Sequence, residues 1–224
     1  MCSDILSIQL LDLSHTIAAS LFEGCNYPWE VLPNITNFIL QIGNALPDEE
    51  YDNSSENVWI HKSARVALSA SISGPTIIGS DTEIRHCAFI RGSTIVGAGA
   101  VVGNSTELKS VILFDGVQVP HYNYVGNSIL GYKAHMGAGS ITSNVKSDKT
   151  FVVVKNGSEK LESGLKKFGA ILGDHVEIGC NSVLNPGAVI GRGTQVYPLF
   201  SVRGCIPANS IYKSKSEIVE IKSQ

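Results

Sequence analysis

Apolar residues recur at every sixth position from Ile60 to Phe114: Ile60, Val66, Ile72, Ile78, Ile84, Ile90, Val96, Val102, Leu108 and Phe114. Ten consecutive hits are not a coincidence, and an internal period this long governs what the chain can fold into. The beat returns at Leu130 and Met136, then at Leu172, Ile178, Leu184, Ile190, Val196 and Val202. Six is not a helical period, because 3.6 residues per turn scatters such positions around a cylinder. Simple alternation fails too, since turn formers lie between the beats. Glycine often follows the apolar residue, at Gly79, Gly97, Gly103, Gly131, Gly137, Gly173, Gly179 and Gly191. A short strand followed by a tight corner satisfies both observations, because corners select small residues through positive φ or close backbone approach.

Three such edges close a triangular coil of about 18 residues, with the recurring Ile, Val and Leu inside. Stacked coils pair as parallel strands about 4.8 Å apart. The expected fold is therefore all-β, a parallel β-helix of hexapeptide repeats. An ordinary many-stranded sandwich is the alternative, but it demands no fixed period.

The 224 residues suit one domain with an appendage. A net charge of −3 and a pI near 6.1 exclude a general basic face, so neither nucleic acid nor an anionic membrane is expected as the main partner. Cys2, Cys25, Cys87, Cys180 and Cys205 are odd in number and show no CxxC spacing, which suits free thiols in a reducing cytosol. His15, His61, His86, His121, His135 and His175 include no closely spaced pair, so no metal site is expected. No basic segment precedes an apolar core near Met1, and no apolar run approaches the ~20 residues of a membrane span. The chain reads as cytoplasmic.

Residues 1–55 have a different texture, that of a helical N-terminal arm and linker. Ser3-Asp4 is placed to cap a helix carrying Ile5, Ile8, Leu11 and Leu13. Asn26-Tyr27-Pro28 breaks it, and Ile35, Phe38, Ile39 and Ile42 recur at helical spacing between Asn34 and Leu46. Asp48 to Asn57 reads as a polar, acidic linker. The arm is expected to serve packing or oligomer contact. The prism spans 56–210, and its phase is lost across a Lys-rich loop, 145–168, that holds Lys146, Lys149, Lys155, Lys160, Lys166 and Lys167 around a β-like Phe151-Val152-Val153-Val154 run. Loops this long inside a compact domain are usually functional. This one is either solvated or covers an anionic ligand. Residues 211–224 form an extended tail that closes the solenoid's end.

Repeat geometry turns spacing into proximity. Arg91 and Lys109 lie 18 residues apart, so a three-sided coil stacks them on one face. Two cations one layer apart repel unless an anion sits between them, and phosphate suits an Arg fork beside a Lys point charge. A surface coincidence is the other reading. His121, in Pro120-His121-Tyr122-Asn123-Tyr124-Val125-Gly126, stands where the rhythm breaks, 12 residues beyond Lys109. It is either a structural donor or a general base, whose intrinsic pKa near 6.5 suits deprotonating an amine or hydroxyl.

Ala88-Phe89-Ile90-Arg91-Gly92, Val102 to Lys109, Pro120 to Gly126, Gly137 to Asn144 and Lys167 to Asp174, in that order, resemble one family over about residues 56–210. It is the acetyltransferase half of the bifunctional glucosamine-1-phosphate acetyltransferase/N-acetylglucosamine-1-phosphate uridyltransferase, in its archaeal-like variety. The resemblance implies a left-handed β-helix and a homotrimer with sites at subunit boundaries. It implies acetyl-CoA-dependent N-acetylation of a hexosamine 1-phosphate, glucosamine 1-phosphate or galactosamine 1-phosphate, for amino-sugar nucleotide synthesis, with no metal required. Arg91 and Lys109 would hold the sugar phosphate, and His121 would be the base. Tyr124 and Asn144 would contact the sugar, with Glu107 nearby. Acetyl-CoA would lie along Ala138, Cys180 and Pro198, with Lys215 where the bacterial family has an arginine. A backbone N–H of the Gly137-Ala138-Gly139 turn would face the oxyanion, and Lys146 or Lys149 would add phosphate contacts.

There are departures from the family. No Gly-rich nucleotide-binding loop opens the chain, so the uridyltransferase half is expected to be missing. His135 replaces an asparagine, Val145 a tyrosine and Cys180 a serine of the bacterial pattern. Two other readings stay open: a non-catalytic sugar-phosphate binder or scaffold partner of a separate nucleotidyltransferase, and a hexapeptide acyltransferase with another acceptor.

Overall fold

In the computed structural model, which describes residues 5–214 and 216–221, the chain winds into a left-handed parallel β-helix with three faces. The first face stacks Val58–His61, Thr76–Ile78, Thr94–Val96, the second halves of Glu107–Leu113 and Tyr124–Leu130, then Ala170–Leu172, Ala188–Ile190 and Cys205–Ile206. The second stacks Arg65–Val66, Glu83–Ile84, Val101–Asn104, Gln118–His121, His135–Met136, Glu177–Ile178, Gln195–Val196 and Ser210–Ser214. The third stacks Ser71–Ile72, Phe89–Ile90, the first halves of Glu107–Leu113 and Tyr124–Leu130, Ile141–Thr142, Val183–Leu184 and Ser201–Val202. Each face thus repeats once per coil, as a period of six requires. The beat residues are the prism's core: Ile78, Ile84, Ile90, Val96, Val102 and Leu108 are all buried.

The phase then slips. Phe89 pairs with Glu107, 18 residues on, but Thr94 pairs with Val111, only 17 on. Ser110, at φ 54°, takes up the difference at the corner between them. Leu113, not Phe114, therefore occupies the interior slot beneath Val96. Phe114 leaves the ladder and is buried against the arm, its ring edge-on to Phe22 at 6.0 Å. The next coil is also short, Tyr124 pairing with Ile141. The recurring glycines follow the close-approach reason rather than positive φ. At Gly137, a Cβ would sit 2.7 Å from the backbone nitrogen of Cys180 in the next layer. Left-handed φ falls elsewhere in the corners, on residues such as Asp81, Lys133 and His175.

The first face is apolar on its outside as well. Trp59, Ile77, Ile95, Ile112, Ile129, Ile171 and Val189 all point away from the prism yet are buried. The equivalent outer positions of the second face are mostly polar, Arg65, Glu83, Gln118, His135, Glu177 and Gln195, with half-buried Val101 and Ile211 among them. The cover is the N-terminal arm. Its elements are a short helix Ser7–Leu10, three 3-10 turns and a helix Ile35–Gly43, shorter than the Asn34–Leu46 pattern suggests. Helix Ile35–Gly43 packs on Thr76–Ile78, Thr94–Val96 and Glu107–Leu113, and the turn Pro28–Asn34 packs on Tyr124–Leu130. Trp29 is buried between a stacked Tyr27 at 4.5 Å and Phe168 at 5.7 Å. Each large outer side chain would cost about 1.5–3 kcal/mol to expose. The cap expected from Ser3-Asp4 lies outside the described residues.

Asp174 fastens the arm to the prism. Its Oδ2 accepts from the Asp12 N–H at 2.8 Å and pairs with Arg192 Nη2 at 2.9 Å, while Oδ1 accepts from the Tyr132 N–H at 2.8 Å. Burial pushes its carboxyl above the ordinary value, against the pull of these partners. His15 stacks on Tyr132 at 3.6 Å on the same seam.

Three further segments differ from the sequence reading. The acidic linker contains a strand, Tyr51–Ser55, paired antiparallel with Val58–His61. The Lys-rich insertion contains a hairpin, Val153–Asn156 with Glu159–Glu162, that packs over Ala188–Ile190 and Cys205–Ile206. The tail folds back as Glu217–Glu220 on Ser210–Ser214, pairing the last parallel edge. Among the described residues, no helix is long and apolar enough to cross a membrane, and no cluster of three His, Cys, Asp or Glu could hold a metal.

Candidate active site

On the third face Ile90 and Leu108 are register partners that point into the prism. Arg91 and Lys109 follow them, so both point outward in adjacent layers, about 4.8 Å apart along the column. The Arg91 N–H donates to the Leu108 carbonyl at 2.9 Å, which ties the two layers. Arg91 is not a bare cation, however. Its Nη1 lies 2.7 Å from Glu107 Oε1, and its guanidinium carbon lies 5.8 Å from the Phe89 ring centre. Lys109 forms no ion pair among the described residues. The two cations expected to need an exogenous anion are thus one ion-paired arginine beside one uncompensated lysine.

Glu107 pairs in register with Tyr124, and Lys109 with Gly126. The missing side chain at Gly126 leaves room for its neighbours: a Cβ there would meet the Tyr124 hydroxyl at 2.6 Å and Asn144 Nδ2 at 2.9 Å. Asn144 Nδ2 donates to Asn127 Oδ1 at 2.7 Å. Burial pushes the Tyr124 phenol up, the Glu107 charge adds to this, and the hydrogen bond with Asn144 opposes it. Arg91, Glu107, Lys109, Tyr124 and Asn144 therefore form one patch.

His121 ends strand Gln118–His121 at the next corner, where it is exposed. Tyr122 turns the corner at φ 52°, and buried Asn123 holds it. Asn123 Oδ1 accepts from the His121 N–H at 3.1 Å, and its Nδ2 donates to the carbonyls of Gly137 at 2.9 Å and Ser140 at 3.1 Å. The Gly139 N–H donates to the His121 carbonyl, Asn181 N–H to Ala138 and Leu199 N–H to Cys180. His121, Ala138, Cys180 and Pro198 thereby stand in four successive layers along one edge.

Of the turn amides, two are already committed within the stack. Gly137 N–H donates to Ile178 and Gly139 N–H to His121. Ala138 N–H makes no hydrogen bond among the described residues. No hydrogen bond or ion pair joins His121 to the Arg91–Lys109 patch in this chain, and Lys215 lies outside the described residues. His135 Nδ1 is 2.8 Å from Glu177 Oε2, its register partner on the second face. Lys146 is engaged by its own loop, through Asp148 Oδ2 at 3.3 Å and Thr150. Asn123 and Asp174 carried no spacing signal. What marks Asn123 is only that it follows His121 at the break in rhythm.

A prism of stacked hexapeptide coils with three faces of parallel strands defines the class: hexapeptide-repeat β-helix proteins. Within that class, residues 72–219 match the GMPPB C-terminal domain, and the chain belongs to that family. A "Bifunctional protein GlmU" of Methanococcus maripaludis is 32% identical over 200 residues, covering 88% of this chain and 48% of the relative. A "Bifunctional sugar-1-phosphate nucleotidylyltransferase/acetyltransferase" of Sulfurisphaera tokodaii is 29% identical over 202 residues, covering 86% of this chain and 50% of the relative. The chain spans about half the length of these curated relatives. Among solved structures, a hexapeptide transferase family protein from Anaplasma phagocytophilum superposes with a TM-score of 0.43 at 16% identity, over 75% of this chain and 80% of that one.

Proposed function

We propose that the chain is an acetyl-CoA-dependent N-acetyltransferase acting on a hexosamine 1-phosphate. The observation that supports the reading is that exposed His121 heads an edge continued by Ala138, Cys180 and Pro198 in the next three layers, where a base would meet an extended thioester-bearing ligand. The names of the curated relatives, which pair a sugar-phosphate nucleotidyltransferase with an acetyltransferase, supply the acceptor class.

The amine of the acceptor loses a proton as it attacks the thioester carbonyl. His121 takes that proton as general base and returns it to sulfur as the C–S bond breaks and coenzyme A leaves as the thiol. The uncommitted Ala138 N–H donates to the oxygen on which negative charge develops. Lys109, with the Arg91–Glu107 pair, binds the sugar phosphate and fixes its orientation. Tyr124 and Asn144 meet the sugar ring, and Cys180 and Pro198 follow the rest of the coenzyme. The chain acts as a homotrimer. Tyr122 (65% exposed) beside His121, and Leu68 (107%) and Leu199 (76%) three layers away on either side along the same edge, are exposed apolar residues that a neighbouring copy would cover, bringing a second chain to the site. Cys87 and Cys180 are exposed free thiols, which suits a reducing cytoplasm.

The test is coenzyme A release with acetyl-CoA and, in turn, glucosamine 1-phosphate, galactosamine 1-phosphate and glucosamine. Turnover of the phosphates, reduced about 10²–10⁴-fold in His121→Ala, is expected. Equal turnover of glucosamine refutes the phosphate clamp. Binding of a hexosamine 1-phosphate without turnover identifies a scaffold partner of a separate nucleotidyltransferase instead.

A further inference from the structure

The hairpin in the Lys-rich insertion is seated, not tethered. Val152 and Val154 on its inner side have no solvent exposure. Two glycines let it approach the prism: a Cβ at Gly187 would meet Val152 Cγ1 at 2.7 Å, and one at Gly204 would meet the Lys155 carbonyl at 2.8 Å. On its outer side Lys155 is the register partner of Lys160. Like charges directly opposite each other in an antiparallel pair are destabilising. Arg203 joins them, leaving the third face just before Gly204.

Lys146, Lys155, Lys160 and Arg203 line one groove of about 290 Å³, with Val153 and Pro186 as an apolar wall. Among the described residues, Lys155, Lys160 and Arg203 form no ion pair, whereas Lys146 pairs with Asp148. The ladder holds two exposed lysines opposite each other, offset in part by Glu162 on the diagonal, with an arginine across the groove, an excess of positive charge that an anion between them would stabilise.

We propose that this groove binds a small-molecule di- or oligophosphate, at a site separate from the Arg91–Lys109 patch. The apolar wall suits the organic part of a phosphate ester. Register carries the outward column from Lys109 through Gly126, Ser143 and Asn185 to Arg203. Four layers place Arg203 about 19 Å from Lys109, beyond the reach of one phosphate. The site is independent of whether the chain transfers acetyl groups.

Inorganic pyrophosphate is the probe, titrated calorimetrically into the full chain at constant ionic strength. Binding is expected in the wild type and in Arg91→Gln/Lys109→Gln. It should weaken about tenfold or more in Lys155→Gln/Lys160→Gln and in Arg203→Gln. Without anion, the double lysine variant should melt no lower than the wild type, because its like-charge pair is gone. No binding to the wild type overturns the proposal, as does loss of binding only with Arg91 and Lys109. Binding unchanged in the hairpin and Arg203 variants overturns it too. A lower melting temperature in the lysine variant refutes the repulsion on which it stands.

Discussion

Replacing Asp174 with Asn tests how the arm is held. Asn keeps the shape and one oxygen, so the bond from the Tyr132 N–H at 2.8 Å survives. The other terminal atom becomes a donor facing two donors, the Asp12 N–H at 2.8 Å and Arg192 Nη2 at 2.9 Å. Hydrogen bonds to a charged group contribute about 1.5–3 kcal/mol each. Part of that is offset, because the buried carboxylate no longer has to be desolvated, the same penalty that raises its pKa. The net expectation is a loss of about 2–4 kcal/mol. At about 2–4 °C per kcal/mol for a chain of this size, the melting temperature falls by roughly 5–15 °C. Calorimetric melts give the magnitude, and amide exchange at Leu11 and Asp12 shows whether the arm opens first. A melting temperature within about 2 °C of the wild type, with exchange unchanged, would falsify the view that this carboxylate fastens the arm.

Lys109→Ala should raise the KM for a hexosamine 1-phosphate about tenfold or more while leaving kcat within a few-fold, because the lysine binds without touching the reacting atoms. An unchanged KM there removes the lysine from the clamp. A third prediction concerns pH. Asp115 and Asp174 both have carboxyl groups raised by burial. The folded chain therefore binds these protons more readily than the unfolded chain, whose carboxylates titrate near an ordinary value of about 3.9. Their proton-linked contribution grows as pH falls through the folded value, so the stability gap between wild type and Asp174→Asn should widen from neutrality towards about pH 4. Melts across that range check it, and a narrowing gap contradicts the raised carboxyl.

The period of six was enough to read the prism and the outward stacking of Arg91 on Lys109, because a fixed coil length maps spacing directly onto layers. Where coil length changes, the map fails. The 17-residue steps past Ser110 moved Phe114 off the interior ladder, and nothing in a run of ten beats announces a shortened corner. The arm's docking surface was written in the chain as doubled apolar pairs, Ile77-Ile78, Ile95-Val96, Ile112-Leu113, Ile129-Leu130 and Ile171-Leu172. The other faces mostly alternate, as at Glu83-Ile84 and Gln118-Val119, and where they are doubled, as at Phe89-Ile90, Val101-Val102 and Val183-Leu184, the outer residue is not fully buried, so it is doubling in layer after layer that marks a face buried on both sides. Asn123 and Asp174 escape pattern reading for a different reason. Apart from the His121 N–H close to Asn123 in the chain, their partners lie 14 to 162 residues away and depend on geometry that only the folded coil creates. Likewise, the Glu107 carboxylate beside Arg91 follows from side-chain direction rather than spacing.

A bare stack of coils is a nearest-neighbour object, in which each layer holds only the ones above and below it. The joint with the longest excursion of chain is the step from Ile129 to Ile171, across which the Lys-rich insertion leaves the column. The N-terminal segment runs along the outside of that joint, on Tyr124–Leu130 to one side and through Asp12 to Asp174 on the other. It acts as a spine across many vertebrae, coupling layers that do not touch.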